Sequence, residues 1–515
     1  SSNKLKEINA GATTSDVIVF ESGVYVTNTN ITDGQVDFNT VTGTTTSNII
    51  FNGTGEANLY GDLTGNISFA GNDATVNVKD GKGILGSVDT LTNNNTGILN
   101  YEGDGTIDGV IGSAGLGIGI LNINTNNEQD TPDGVRVTYS ALGREIYADT
   151  IALKNNATFT LSDGVDLIDT GSDNIIIKVD ANNTGTLKFE GTSTIDGEVG
   201  ESNNILNTIL VQGTSGKTVT FNDMVYANNI TYTSNGTVVL NGNNSLDTNK
   251  EGFIGTVDLG NTTGILEIGD GVNLTVDSSG IQFTNANDAT LRFVGDTTVT
   301  GILGGNTSGN STFEEIHAGL NGKTATFKDD VYVEENTFHV GDGTVNFEGD
   351  LIGSLLFDAD GTVNIDDGKS VIVSSSPESI KTTTDNTGTV NFKGTTTLYG
   401  DLGTTTEKLK SVTFGSFGTS ANSYTQSVNK NVYAYDTSIG NGINNSNLNI
   451  GDDITFGGNL NVNSNSVLNV SNYDVTIDDN LNLASNSTTK FKVYTGISAG
   501  QAVTNANSEV LQLIA

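Results

Sequence analysis

Aspartate is the residue type in this sequence that could most readily bind a cation. The densest group lies in FDADGTVNIDDG at residues 357–368 and comprises Asp358, Asp360, Asp366 and Asp367. Clustered carboxylate oxygens suit Ca2+, although the stretch has neither EF-hand spacing nor the nonapeptide of calcium-binding rolls. Asp-Gly pairs are also common turn residues, in which Asp caps its own backbone and Gly supplies a positive φ, so we favour turns for most of them. Calcium at these four carboxylates is the functional alternative, and no other cofactor is indicated.

Histidine offers a second possible chemistry. His317 and His339 are the only histidines, and the chain has no cysteine. A zinc site would need carboxylate ligands from elsewhere in the sequence, so we predict ordinary surface or corner positions for both residues.

Acid–base catalysis by paired carboxylates is the remaining enzymatic possibility. Parallel β-helices can host polysaccharide-cleaving centres built from aspartates with a nearby basic residue or aromatic platform. Here Trp is absent, basic residues are few, and the aspartates recur with a sequence repeat, whereas a single catalytic centre should interrupt the repeat. The sequence therefore predicts no catalytic residues and a protein that is not an enzyme, with a polysaccharide-active β-helix enzyme as the alternative.

Composition indicates strands separated by turns. The 515 residues include 65 Gly and only 2 Pro, and the apolar stretches consist of Val, Ile, Thr, Phe and Tyr. The net charge of −38 repels nucleic acid and anionic membranes, so we expect neither as a partner. The longest apolar run, GLGIGILNI at 115–123, is too short to span a bilayer, and we expect no direct membrane insertion.

One twelve-residue phrase occurs four times. It has an aromatic residue at its first position, glycines at positions 3, 9 and 12, and aliphatic residues at positions 7 and 11. The copies are YEGDGTIDGVIG at 101–112, FEGTSTIDGEVG at 189–200, FVGDTTVTGILG at 293–304 and FKGTTTLYGDLG at 392–403. A looser fifth copy lies at 51–65. We interpret the fixed positions as core and corner residues of a structural rung, and the free positions as solvent-facing.

A second landmark follows each copy. It is a tyrosine in EIYAD, MVYAN, VYVEE or VYAYD, at Tyr147, Tyr226, Tyr332 and Tyr433. Two landmarks in constant order define a cassette of roughly 100 residues, which is longer than one solenoid rung and must hold several.

The strand spacing favours a solenoid. Residues 344–373 contain TVNF, SLLF, TVNI and SVIV, separated by short polar turns. We predict an all-β, elongated, right-handed parallel β-helix built from these cassettes, with tandem β-sandwich domains as the alternative. The predicted divisions are a partial N-terminal cassette at 1–65, a β-solenoid array at 66–460 and divergent C-terminal strands at 461–515.

Two longer stretches carry a family resemblance. NTGTLKFEGTSTIDGEVG at 183–200 and TVTFNDMVYANNITY at 218–232, together with the Cys-free, Asn/Thr/Gly-rich composition, resemble the passenger regions of rickettsial autotransporters. These form the surface cell antigen family, and the likeness is to its outer-membrane protein B-like members. The resemblance implies a secreted passenger domain with a β-helix fold, located outside a Gram-negative cell, and it carries over no catalytic residue.

The expected function follows from the repeat and this resemblance. We expect a structural passenger on the bacterial cell surface that forms a protective layer, mediates adhesion to host cells, or does both. Its partners would be a host-cell receptor or further copies of itself. The non-adhesive alternative is a calcium-assembled S-layer subunit.

Overall fold

The computed structural model is all-β. It describes residues 5–39, 45–71, 73–126, 136–140, 144–212, 216–233, 235–242, 256–258, 264–275, 290–304, 313–333, 337–373, 377–415, 423–443 and 445–491. No helix occurs in these ranges, and every pair of named strands within them is parallel. The chain divides into two compact units, Ser1–Glu267 with Gln282–Thr284 and Ile268–Ile281 with Asn285–Ala515.

The described part of the first 268 residues contains 28 short strands. They are β1 Leu5–Ala10, β2 Val17–Phe20, β3 Tyr25–Ile31, β4 Gln35–Phe38, β5 Thr45–Phe51, β6 Glu56–Leu59, β7 Leu63–Thr64, β8 Ile67–Phe69, β9 Thr75–Val78, β10 Lys82–Leu85, β11 Val88–Thr90, β12 Thr96–Tyr101, β13 Gly105–Asp108, β14 Ile118–Ile123, β15 Arg136–Tyr139, β16 Glu145–Leu153, β17 Thr158–Leu161, β18 Asp166–Asp169, β19 Ile175–Val179, β20 Thr184–Phe189, β21 Ser193–Asp196, β22 Glu198–Val199, β23 Leu206–Val211, β24 Thr218–Phe221, β25 Ala227–Tyr232, β26 Thr237–Leu240, β27 Thr256–Asp258 and β28 Ile265–Ile268.

The described residues that follow contain 25 more strands. They are β29 Leu274–Thr275, β30 Thr290–Phe293, β31 Thr297–Thr300, β32 Glu315–Ala318, β33 Thr324–Phe327, β34 Val331–Tyr332, β35 Phe338–Val340, β36 Thr344–Phe347, β37 Leu351–Ile352, β38 Leu355–Phe357, β39 Thr362–Ile365, β40 Val371–Ile372, β41 Glu378–Thr382, β42 Thr387–Phe392, β43 Asp401–Leu402, β44 Leu409–Phe414, β45 Ser423–Val428, β46 Ala434–Ile439, β47 Asn445–Ile450, β48 Ile454–Phe456, β49 Asn459–Val462, β50 Val467–Ser471, β51 Val475–Ile477, β52 Leu481–Leu483 and β53 Thr488–Phe491.

Each unit is a β-solenoid whose coils contribute strands to three parallel sheets. In the first unit, one coil consists of β9, β10 and β11. β9 pairs with β6 and β12, β10 pairs with β7 and β13, and β11 pairs with β8. In the second unit, β36, β37 and β38 form a coil in the same way. The predicted right-handed parallel β-helix is confirmed, and the tandem β-sandwich alternative is wrong because sandwiches are built from antiparallel strands.

The core follows from the alternation of side chains along each strand. In TVNF at 344–347, Val345 and Phe347 are buried whereas Thr344 and Asn346 are half-buried on the outer face. Because the parallel strands pair in register, inward-facing side chains of successive coils stack on one another, and Phe347 lies between Phe327 and Ile365. Each buried Phe or Val side chain contributes about 1.5–3 kcal/mol of hydrophobic free energy.

The repeated phrase places its first glycine against the preceding coil. In the second copy, a Cβ at Gly191 would lie 2.2 Å from Oδ1 of Asp163. The same oxygen accepts the backbone N–H of Thr192 at 2.8 Å. The other copies repeat this contact in the pairs Asp80 with Gly103, Asp270 with Gly295, and Asp367 with Gly394. The glycine is therefore fixed because an aspartate occupies the space of a side chain.

These contacts revise the turn prediction for aspartate. The predicted positive φ of the following glycine is confirmed at Gly164, Gly271 and Gly368, and it is wrong at Gly105, Gly343 and Gly361. However, the carboxylates of Asp163, Asp270 and Asp367 accept backbone N–H groups 26 to 29 residues further along the chain, so they cap the next coil and not only their own turn. In each of the four copies, an aspartate of the preceding coil therefore caps the coil that carries the phrase.

The last glycine of the phrase meets the second landmark of the cassette. Position 12 has a positive φ of 66° to 75° in all four copies, at Gly112, Gly200, Gly304 and Gly403. The landmark tyrosine lies one coil further on, and its N–H donates to the carbonyl oxygen just before that glycine at 2.7 or 2.8 Å, in Tyr147, Tyr226, Tyr332 and Tyr433. The two sequence landmarks are thus neighbouring points on adjacent coils.

Within each unit, the two copies of the phrase occupy different sheets. In the first unit, the aromatic Phe189 stacks on a column formed by Leu161, Tyr139 and Ile107. Ile107 is position 7 of the first copy, not its aromatic position. In the second unit, Phe392 likewise stacks on the column that begins at position 7 of the third copy, through Ile365, Phe347, Phe327 and Val299. Within each unit a cassette therefore advances the phrase by one sheet.

Asparagine ladders bridge the coils on the outer face. Each Nδ2 donates to the Oδ1 of the previous rung at 2.7 to 2.9 Å. The longest such ladder in the described residues runs through Asp37, Asn58, Asn77, Asn100 and Asn122.

Replacing Asn77 by Asp should weaken this ladder. Asn77 donates to both Asn58 and Glu56 at 2.9 Å, and a carboxylate there would lose both donors and face Glu56. We expect the free energy of local opening of β6, β9 and β12, measured by hydrogen exchange, to fall by about 1–2 kcal/mol. Asn52→Asp, at an exposed position, is the matched control and should leave it within about 0.5 kcal/mol. Equal effects of the two variants would contradict the ladder's contribution.

The sequence divisions at residues 65 and 460 stay predictions, and the two compact units are a separate division of the chain. The units divide near residue 268, inside the predicted 66–460 array. The predicted border at 460 falls within β49, and parallel pairing continues through β52 and β53. The residues after 491 lie outside the described part of the chain.

Candidate metal centre

Both histidines lie on the outer face of one sheet in the second unit. β32 reads EIHA, and its buried residues Ile316 and Ala318 leave Glu315 and His317 pointing outward. In β35, with sequence FHV, Phe338 and Val340 are buried, which turns His339 outward. β32 and β35 are adjacent parallel strands, and their register places His317 directly beside His339.

The two imidazole rings stack closely. Their centroids are 4.6 Å apart with an interplanar angle of 17°. Nε2 of His317 lies 2.9 Å from Oε2 of Glu315. Glu315, His317 and His339 each offer one possible ligand atom, and these three atoms lie within 4.8 Å of one another. The arrangement brings two nitrogen ligands and one carboxylate oxygen to one point of the surface.

A carboxylate from the next coil supports His339. Oδ2 of Asp358 lies 2.8 Å from Nδ1 of His339. With Nδ1 as the hydrogen-bond donor, the neutral imidazole carries its lone pair on Nε2. A carboxylate partner on the second nitrogen is the usual way in which proteins orient a metal-binding histidine.

The electrostatics of the cluster favour an ionised carboxylate. The hydrogen bond from His317 holds the pKa of Glu315 below its usual range, although partial burial of the carboxyl group raises it. The positive charges of His317, His339 and Arg292 also lower this pKa. The side chains of His317 and His339 retain 21% and 16% exposure, and those of Glu315 and Asp358 more than 40%. A solvated ion can therefore reach all four groups.

The four aspartates predicted as a calcium site bind different partners. Asp358 contacts His339, and Oδ2 of Asp360 lies 2.6 Å from Nζ of Lys410. Oδ1 of Asp366 lies 2.7 Å from Nζ of Lys393, and Oδ1 of Asp367 accepts the N–H of Thr395. Within the described residues, three of these carboxylates are thus held by a lysine or a backbone donor, and Asp358 alone belongs to the histidine cluster.

The histidine cluster was missed by sequence reasoning. The prediction of ordinary surface positions did not consider that the 22 residues between the histidines are the length of one coil at this point, where Ile316 pairs with Phe338. The usable signal was that each histidine follows an inward-facing apolar residue in EIHA and FHV. Because both histidines face outward at paired positions of adjacent coils, their imidazole rings are neighbours.

Comparison with known proteins gives no relative for this chain. No protein-family model, no curated protein and no solved structure matches it. In the described part of the chain, no helix has the length and apolar character needed to cross a bilayer.

Proposed function

We propose that this chain is a structural passenger on the surface of a Gram-negative cell, exported by an autotransporter, which forms a protective layer and adheres to host cells. The observation that carries the proposal is the use of the repeat. Its aromatic and aliphatic positions are buried, its first glycine accommodates a cross-coil aspartate cap, and its last glycine meets the landmark tyrosine. The repeated residues build and join coils, which is the requirement of a scaffold.

The outer surface supports the same role. Outward side chains of the sheets are mainly Asn, Thr, Asp and Lys, and the net charge of −38 keeps such a surface soluble and separated from nucleic acid. Repetition of cassettes extends a β-solenoid without a new core, because each coil contacts only its neighbours. The resemblance of the phrases at 183–200 and 218–232 to rickettsial passenger regions adds the cellular setting, and no reaction is part of the proposal.

Adhesion is tested with beads that carry the purified chain. We expect saturable binding of the beads to cultured host cells and competition by the soluble chain. Beads coated with an unrelated protein of similar negative charge are the control for electrostatic attachment. Non-saturable binding, or binding equal to that of the charge control, would remove adhesion from the proposal.

Layer formation is tested separately by electron microscopy of the purified chain. We expect ordered sheets or filaments, and we compare samples with added calcium and with chelator. The surplus of carboxylates is the observation that favours a calcium-assembled layer without adhesion. Dispersed particles under every condition, together with absent cell binding, would reject the structural proposal as a whole.

A further inference from the structure

We propose that Glu315, His317 and His339 form a binding site for one divalent transition-metal ion, Zn2+ being the best fit. The inference rests on the geometry of β32 and β35 and stands independently of the surface-layer function. It assigns a binding role to the only two histidines of the chain.

The donor set is that of a zinc site. Two imidazole nitrogens and one carboxylate oxygen are a well-known three-residue set, with bond lengths of about 2.0–2.2 Å and a fourth position left for water. Such bonds in a tetrahedron place neighbouring ligand atoms about 3.3 Å apart. The observed 2.9 Å between His317 Nε2 and Glu315 Oε2 is a few tenths of an ångström shorter than this, and the 4.8 Å limit for the whole set is longer. Rotations of the three half-buried side chains would bring their ligand atoms to one ion.

The chemistry of the ligands also separates this site from general cation binding. Ca2+ and Mg2+ prefer six or more oxygen ligands, whereas imidazole favours zinc, copper and nickel. The remaining carboxylates of the chain can attract calcium as a diffuse charge, but within the described residues only this cluster joins histidine to a carboxylate in a group of three. Selectivity for zinc over calcium is therefore the signature of the site.

Asp358 acts as a positioning residue. Its contact with Nδ1 of His339 leaves Nε2 for the metal and fixes the ring between the coils. Loss of such a carboxylate partner typically lowers metal affinity 10- to 100-fold. Asp360 lies two residues further on and binds Lys410 instead, so it provides a control with the same chemistry and no contact with the cluster.

Isothermal titration of the untagged chain with Zn2+ in the presence of excess Ca2+ tests the proposal. We expect one zinc per chain, with affinity lowered at least 100-fold in His317→Gln and in His339→Gln. Asp358→Asn should lower it 10- to 100-fold, and Asp360→Asn should change it less than twofold. Circular dichroism spectra establish that the variants retain the β fold, as expected for outward-facing positions.

A second readout follows the metal itself. Co2+ in place of zinc should give the visible absorption of a tetrahedral nitrogen–oxygen site, and this spectrum should disappear in both histidine variants. Zinc binding that survives both histidine substitutions, or that excess calcium abolishes, would overturn the assignment and identify diffuse carboxylate binding instead. Absence of binding at 1:1 stoichiometry would overturn it as well.

Discussion

Gly388→Ala should lower the free energy of local opening around β38 and β42 by about 2–5 kcal/mol. Gly388 has a φ of +82°, which costs an L-residue about 1–2 kcal/mol. A Cβ at this position would also lie 2.5 Å from Cδ2 of the buried Phe357, and overpacking of this kind costs about 1–3 kcal/mol. Native-state hydrogen exchange measures the effect coil by coil, which suits a repeat protein whose unfolding need not be all-or-none.

Gly368→Ala is the matched control for this prediction. Gly368 has almost the same φ, +77°, but no atom lies within 4 Å of the position that a Cβ would take. Only the cost of a positive φ for an L-residue should remain in this variant, about 1–2 kcal/mol of opening free energy. The difference between the two variants isolates the collision with Phe357. Equal destabilisation by both would show that the phenyl ring yields and that the close packing of this corner contributes nothing.

Phe327→Ala should lower the free energy of local opening of β31, β33 and β36 by about 3–5 kcal/mol. Phe327 is 1% exposed and lies at the centre of an aromatic group. Its ring centroid is 5.3 to 5.5 Å from those of Phe293, Phe338 and Phe347. Removal of the ring leaves a cavity that three further rings line, and stacked coils cannot collapse into it without breaking their register.

Two comparisons define the result for Phe327. Phe327→Leu retains most of the buried volume and should cost less than half as much as the alanine variant. Leu483→Ala, at a side chain 55% exposed, should change the opening free energy by less than about 0.5 kcal/mol. The loss of hydrogen-exchange protection should be greatest in β31, β33 and β36. Loss spread evenly over the second unit would contradict the local character of coil packing.

The sequence was sufficient to predict the strands and the role of the phrase. Inward and outward positions in TVNF or EIHA follow from alternation over four residues, which depends only on neighbouring side chains. The fixed aromatic and aliphatic positions of the phrase were therefore recognisable as core. The glycines were recognisable as corners, but the aspartate that occupies the space beside Gly191 belongs to another coil, and nothing local identifies it.

Register between coils could not be predicted because corner lengths vary. Thr344 pairs with Thr362 after 18 residues, Thr362 pairs with Thr389 after 27, and Gly105 pairs with Val137 after 32. Each insertion leaves the strands unchanged but shifts every later residue relative to the coil below. The proximity of His317 and His339 depends on such a register, which is why the two histidines are isolated in the sequence but stack side by side in the fold.

The advance of the phrase by one sheet per cassette has a consequence for how duplication shapes such a protein. When a cassette is duplicated within one solenoid, the phrase of the new copy lies one sheet further round the coil than the phrase of the original. A contact residue that arises at a free position is then inherited pointing in another direction. Within each unit, contact residues inherited by two copies of a cassette would therefore lie on different sheets and would not all face one flat partner.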